Sequence, residues 1–125
     1  MRTRHAGMLA VVFLSGCFCA LEQPAKRATL ELIGQCDPDV LRPTAALKKW
    51  VAERNWFKSE KCIVIGNSEE EPNKPAYTRL ACNNTARVYI GFRSRTAAET
   101  RTKKLQIETI KVSYSNGKAS ESFAE

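Results

Sequence analysis

The chain has 125 residues, enough for one compact domain and too few for two. Lys and Arg number 20 against 13 Asp and Glu, a formal charge of +7 that suits either an anionic partner or plain solubility. The only histidine is His5, so everything downstream lacks imidazole and cannot build a Ser-His-Asp triad, a Cys-His pair or a His-containing zinc site.

Arg2 and Arg4 precede an apolar run from Ala6 to Leu14. A basic segment before about nine apolar residues reads as a secretory signal, too short to span a bilayer as a mature helix. Leu14-Ser15-Gly16-Cys17 closes it and resembles the lipobox of bacterial lipoproteins: Leu, two small residues, then Cys. The resemblance covers the first 17 residues and no more. It implies a signal peptide at 1–16, a palmitate-bearing lipid on Cys17, and a place in the cell envelope. Phe18 follows the Cys where an Asp would imply inner-membrane retention, which leans toward an outer-membrane lipoprotein facing the periplasm. Cleavage there leaves 109 residues and lowers the charge to +5. The alternatives are an ordinary signal peptide cut near Ala20 and a chance apolar N-terminus on a cytosolic chain.

Residues 17–27, with Pro24 and the charges Glu22, Lys26 and Arg27, read as a lipidated tether, and 28–125 as a single domain. Alternation of Leu30, Leu32 and Gly34 with Thr29, Glu31 and Ile33 predicts a first strand over 29–36. Cys36-Asp37-Pro38-Asp39 is turn chemistry. A main helix follows, with Pro43 in its first turn or kinking it, one face through Val40, Leu47, Trp50, Val51 and Arg54, and Asn55 as its stop. Trp56 and Phe57 either fold back beneath the helix end or form an exposed contact patch. Cys62–Ile65 reads as a short buried strand ending at Gly66. Asn67 to Pro75, with Glu69, Glu70 and Glu71, reads as a solvated loop that lacks the fixed carboxylate spacing acid-base catalysis needs.

Two strands, Tyr77–Cys82 and Ala86–Arg93, join at Asn83-Asn84, where Asn tolerates positive φ. Val88, Ile90 and Phe92 share one face, leaving Arg87, Tyr89 and Arg93 on the other. Val88-Tyr89-Ile90-Gly91-Phe92 looks like the first-strand motif of an RNA-recognition domain. The second motif is missing and only 33 residues remain, so a nucleic-acid partner is not expected. Asn83-Asn84-Thr85 matches the N-glycosylation sequon, which matters in a eukaryotic chain. Thr96-Ala97-Ala98-Glu99 fits a capping box. The last long strand, Leu105 to Ser115, slips phase between Ile107 and Ile110, and one bulged residue near Glu108 or Thr109 restores a single apolar face. Asn116-Gly117 signals a hairpin whose returning arm, Lys118–Phe123, frays.

These pieces predict an α+β fold, a mostly antiparallel sheet of about five strands with one main helix packed on one face. Its first two strands would be parallel through a helical crossover. With Cys17 lipidated, Cys19, Cys36, Cys62 and Cys82 remain, none in a C-x-x-C pair, and structural disulfides are the default. Cys62 begins one strand and Cys82 ends its antiparallel neighbour, which favours Cys62–Cys82, worth about 3 kcal/mol. Cys19–Cys36 follows by elimination. Arg87, Tyr89 and Arg93, with Trp56 and Phe57, are the candidate binding surface, reading either as an anion or acidic-partner site or as a solvated face. No catalytic residue, metal ligand set or cofactor is indicated.

The functional expectation is a non-enzymatic, lipid-anchored module facing the periplasm with an envelope protein as partner: an accessory or assembly subunit, or an inhibitor or immunity protein. The alternatives are a small carboxylate-dependent envelope hydrolase and a eukaryotic secreted, disulfide-containing glycoprotein.

Overall fold

The structure, a computed structural model, describes residues 19–38 and 41–125. The segment read as a signal peptide, Cys17, Phe18 and Val40 lie outside the described residues. Five strands, β1 (Cys62–Asn67), β2 (Tyr77–Cys82), β3 (Ala86–Phe92), β4 (Ile107–Tyr114) and β5 (Glu121–Ala124), form one sheet in the order β1-β2-β3-β4-β5. Every pairing is antiparallel, so the sheet is a simple meander. Among the described residues, a helical stretch at 19–21 precedes three short helices: α1 (Pro24–Leu32), α2 (Ala45–Ala52) and α3 (Glu99–Thr102).

The expected strand over 29–36 is replaced by the end of α1, and the parallel crossover disappears with it. Residues 24–27, assigned by sequence to the tether, are the first turn of the same helix. Two signals outweigh the short alternation. Pro24 sits at the helix start, where its fixed φ fits and its missing N–H leaves nothing unpaired. Ala25, Ala28, Thr29 and Ile33 recur at helical spacing and are all buried. Gly34, at φ +87°, ends the helix: its N–H bonds to the Glu31 carbonyl, while Gln35 N–H bonds to the Leu30 carbonyl at 2.8 Å. That paired reversal is a Schellman stop, open to glycine because it carries no Cβ.

The anticipated single helix on one face is therefore two short ones. α1 lies over β1 and β2, where Thr29 Oγ1 and Thr78 Oγ1, both buried, share a 2.6 Å hydrogen bond. α2 begins later than expected: Thr44 is its N-cap, accepting from Leu47 N–H, so Pro43 precedes the helix. It meets the sheet beside β5, with the Trp50 ring 5.7 Å from that of Phe123. Leu80, Val88, Ile90, Phe92, Ile110 and Val112 fill the inner sheet face. The phase slip in β4 is a register break opposite Gly91 and Phe92, which pair with Thr109 and Ile107 and leave Glu108 over. Val88, Ile90 and Phe92 share the buried face, as their alternation requires.

Turn chemistry follows the side chains. Asn83 and Asn84 both take positive φ between β2 and β3. Thr96 and Glu99 close a reciprocal capping box, each side chain accepting from the other's backbone N–H at 3.2 and 3.0 Å. The hydrogen bond from the Thr96 backbone, with Lys103 beside it, holds the Glu99 carboxyl below the usual range. β1 departs from the reading of a buried strand. It is the sheet edge, and Ile63 and Ile65 are 66% and 52% exposed. The arm after Asn116-Gly117 pairs with β4 as β5.

Cys62 and Cys82 face each other directly in the β1–β2 register and are joined by a disulfide. A second disulfide links Cys19 to Cys36, closing the segment that contains α1. That bond fixes Cys19, at the start of the described residues, to the body of the domain.

Candidate binding surface

The outer face of the sheet is set by register. Arg79, Tyr89, Lys111 and Ser122 stand opposite one another on β2, β3, β4 and β5, forming one row across the sheet. Arg87 lies in the next row, between Ala81 and Ser113. Tyr89 is thus central, with a cation on each neighbouring strand and a third two residues away on its own.

Tyr77 stacks on Tyr89, ring centroids 5.7 Å apart and 23° from parallel. Gly91 permits this arrangement. A Cβ at that position would come within 3.2 Å of the Tyr89 ring and 3.1 Å of Thr109 Cγ2, forcing one of them aside. Arg79 lies over the far partner, its guanidinium carbon 5.6 Å from the Tyr77 centroid. A depression of about 650 Å³ opens over the row, lined by Ile65, Arg79, Arg87, Tyr89, Lys111 and Ser122. Its only carboxylate, Glu121, is engaged elsewhere, by Arg54 and by the Tyr114 hydroxyl at 2.5 Å.

Among the described residues, Arg79, Arg87 and Lys111 form no ion pair. Three cations held on a rigid sheet around an aromatic ring, with no acid to neutralise them, make a field that attracts anionic groups.

Three of the five other basic residues between Arg87 and Lys111 make ion pairs of their own. Arg93 lies beyond the end of β3 and reaches Glu108 at 3.8 Å. Lys103 pairs with Glu99 on α3 at 3.0 Å. Arg95 makes a two-pronged bond with Glu70, at 2.7 and 2.5 Å, and also donates to the Lys103 carbonyl. Both side chains of that pair are nearly covered, 10% exposed for Arg95 and 8% for Glu70. The acidic loop is consequently not a freely solvated one. Glu70 clamps it, and Asn73, at positive φ, donates its N–H to the Arg95 carbonyl at 2.7 Å.

Trp56 and Phe57 belong to the inner side. Phe57 is 2% exposed, and both rings pack edge-on in a chain running Trp50–Phe57–Trp56–Tyr114. They fold back beneath the helix end, which removes Phe57 from the candidate surface and leaves Trp56 as a half-buried wall of the core. Above this chain sits a second cation–aromatic cluster. Arg54 lies 3.8 Å over the Trp50 ring and pairs with Glu121. Burial, together with Glu121 as acceptor, pushes the Tyr114 hydroxyl up to about 12. The same Tyr114 hydrogen bond, and then Arg54, hold Glu121 below the ordinary carboxylate range.

Arg87 and Tyr89 are thus brought together, while Arg93, Trp56 and Phe57 stand apart from them. Arg79 escaped the sequence reading. The Asn83-Asn84 turn carried the signal, because folding the two strands about it sets Arg79 against Tyr89. Among the described residues no group of three or more His, Cys, Asp or Glu could hold a metal ion, and no helix is long and apolar enough to cross a membrane. No protein-family model, curated protein or solved structure matches the chain.

Proposed function

We propose that this protein is a lipid-anchored binding module of the cell envelope, held at Cys17, facing the periplasm and recognising an envelope protein through the outer face of its sheet. The observation that carries this reading is the cluster of Arg79, Arg87 and Lys111 around Tyr89, without an ion pair among the described residues. A protein that spent its basic residues on solubility alone would have little reason to hold three of them, acid-free, on one rigid face beside a concavity. Arg and Tyr are also the side chains that concentrate in interface hot spots. Two disulfides suit an oxidising compartment, and the lipobox supplies the anchor. Assembly subunit and inhibitor are both served by an anchored, rigid recognition face.

The test places a photo-crosslinking amino acid at Ser113, beside Arg87 on that face, in the native host. One discrete protein adduct is expected, absent when the probe sits at Lys48 on the exposed side of α2. Irradiation that yields no adduct at Ser113, or the same adducts at both positions, would overturn the reading. Intact mass of the purified chain tests the anchor separately: a diacyl or triacyl increment on a chain beginning at Cys17 supports it, and an unmodified Met1 refutes it.

A further inference from the structure

We infer that the depression over Tyr89 seats an acidic segment of the partner, carrying several carboxylate side chains on one stretch of chain; the inference rests on the reading of the outer face as the recognition surface. Its lining is strongly biased in sign. Arg79, Arg87 and Lys111 donate, the Ser122 hydroxyl can donate, and Glu121, the one acid at the rim, is already satisfied by Arg54 and Tyr114. An occupant bringing cations would meet only repulsion, and a neutral one would leave three desolvated charges unpaired.

The spacing of the cations narrows the choice of anion. Arg79 and Lys111 lie one strand to either side of Tyr89, so their backbones stand about 10 Å apart. Arg87 is two residues from Tyr89 along β3, about 7 Å away. Carboxylates at alternate positions of an extended segment repeat about every 7 Å, and those one helical turn apart about every 5–6 Å. Several separated monoanions match three separated cations. Tyr89, backed by Tyr77, supplies apolar contact between the charges, and the exposed Ile65 on the edge strand adds it at the margin beside Arg79.

Direction argues the same way. α1, which follows the N-terminal segment, packs on the opposite side of the sheet, hydrogen-bonded through Thr29 to Thr78. The cationic face therefore turns away from the element that leads to Cys17, and is presented to a partner more readily than to the lipids holding the anchor.

The test uses the full-length protein in a non-ionic detergent and a fluorescein-labelled ten-residue peptide of alternating Glu and Ala. Fluorescence anisotropy should show saturable binding that weakens steeply with added salt. Arg87→Ala with Lys111→Ala should weaken it at least tenfold, and Tyr89→Ala severalfold. Lys48→Ala with Lys49→Ala, which removes the same charge from exposed positions on α2, should leave it unchanged. Equal loss in both double variants would mean attraction by net charge alone and overturn the inference. So would tighter binding of pyrophosphate, or of phosphatidylglycerol vesicles, through the same three cations, since the site would then be one for phosphate. A peptide that fails to bind while the Ser113 probe still captures one protein sinks the acidic segment and spares the recognition face. Peptide binding without any adduct sinks the recognition face, and the partner's acidic segment with it, leaving only an affinity for carboxylates.

Discussion

The molecule holds two clusters built from the same ingredients, arginine beside tyrosine and other aromatics, and they end in opposite electrostatic states. Between α2 and β5, Arg54 rests on Trp50 and meets Glu121, which also takes the Tyr114 hydroxyl. On the outer face of the sheet, Arg79, Arg87 and Lys111 surround Tyr89 and meet no carboxylate among the described residues. The first cluster is closed: its charges satisfy one another, and its work is to tie α2 and β5 together. The second is open and has its interaction capacity in reserve. The contrast separates charge that holds a fold together from charge that is available to another molecule.

The sharpest way to break the comparison is to open a closed pair. Glu70→Ala would strand Arg95 with little solvent to compensate, since both partners are at least nine-tenths covered. A loss of about 3 kcal/mol is expected, read as a fall in Tm on the order of 10 °C by calorimetry. Replacing both residues together should cost less than Glu70→Ala alone; an equal or larger cost would mean the pair is not the clamp of the acidic loop. Glu121→Ala comes next, at about 2 kcal/mol, because it leaves both Arg54 and Tyr114 without their shared partner. Chemical denaturation should show it, and near-ultraviolet circular dichroism should report the loosened Trp50–Phe123 contact.

The closed cluster also has a pH signature. Tyr114 titrates at about 12 in the fold, above its ordinary value of 10, so the fold favours the protonated phenol. Its contribution is complete below pH 10 and is lost as pH rises from there through about 12. Absorbance at 295 nm should show one phenolate forming only near that upper limit, and Glu121→Ala should bring it down. Glu121 is depressed, so its contribution is present above the ordinary carboxylate range and fades as pH falls through its lowered value in the fold. The smallest effect belongs to the open cluster. Arg87→Ala and Lys111→Ala, singly or together, should change stability by no more than about 0.5 kcal/mol, since neither has an ionic partner to lose. A larger loss would show that the outer face is structural and would erase the contrast.

How far the sequence could be read depended on the range of the determining interaction. Local patterns translated directly. The Asn83-Asn84 turn, the Thr96–Glu99 capping box, the buried alternation of Val88, Ile90 and Phe92, and the extra residue in β4 each depend on neighbours a few positions away. The alternation from Thr29 to Gly34 covers six residues, whereas the longer window from Pro24 to Gly34 carries a helix signal at each end, and the longer pattern prevails. Ile63 and Ile65 looked buried because a run of apolar residues does not reveal whether its strand is central or at the edge.

The sequence by itself determined the absence of imidazole beyond His5, the apolar face of each central strand, and the thiols able to pair in an oxidising compartment. Only the tertiary structure decided which cations are spent. Arg87 and Arg95 are indistinguishable as letters in a basic stretch, yet one faces open solvent beside Tyr89 while the other is locked to Glu70 across 25 residues. Charge pairing is settled by which backbones the fold brings within a few ångströms, and that depends on strand order and register rather than on distance along the chain.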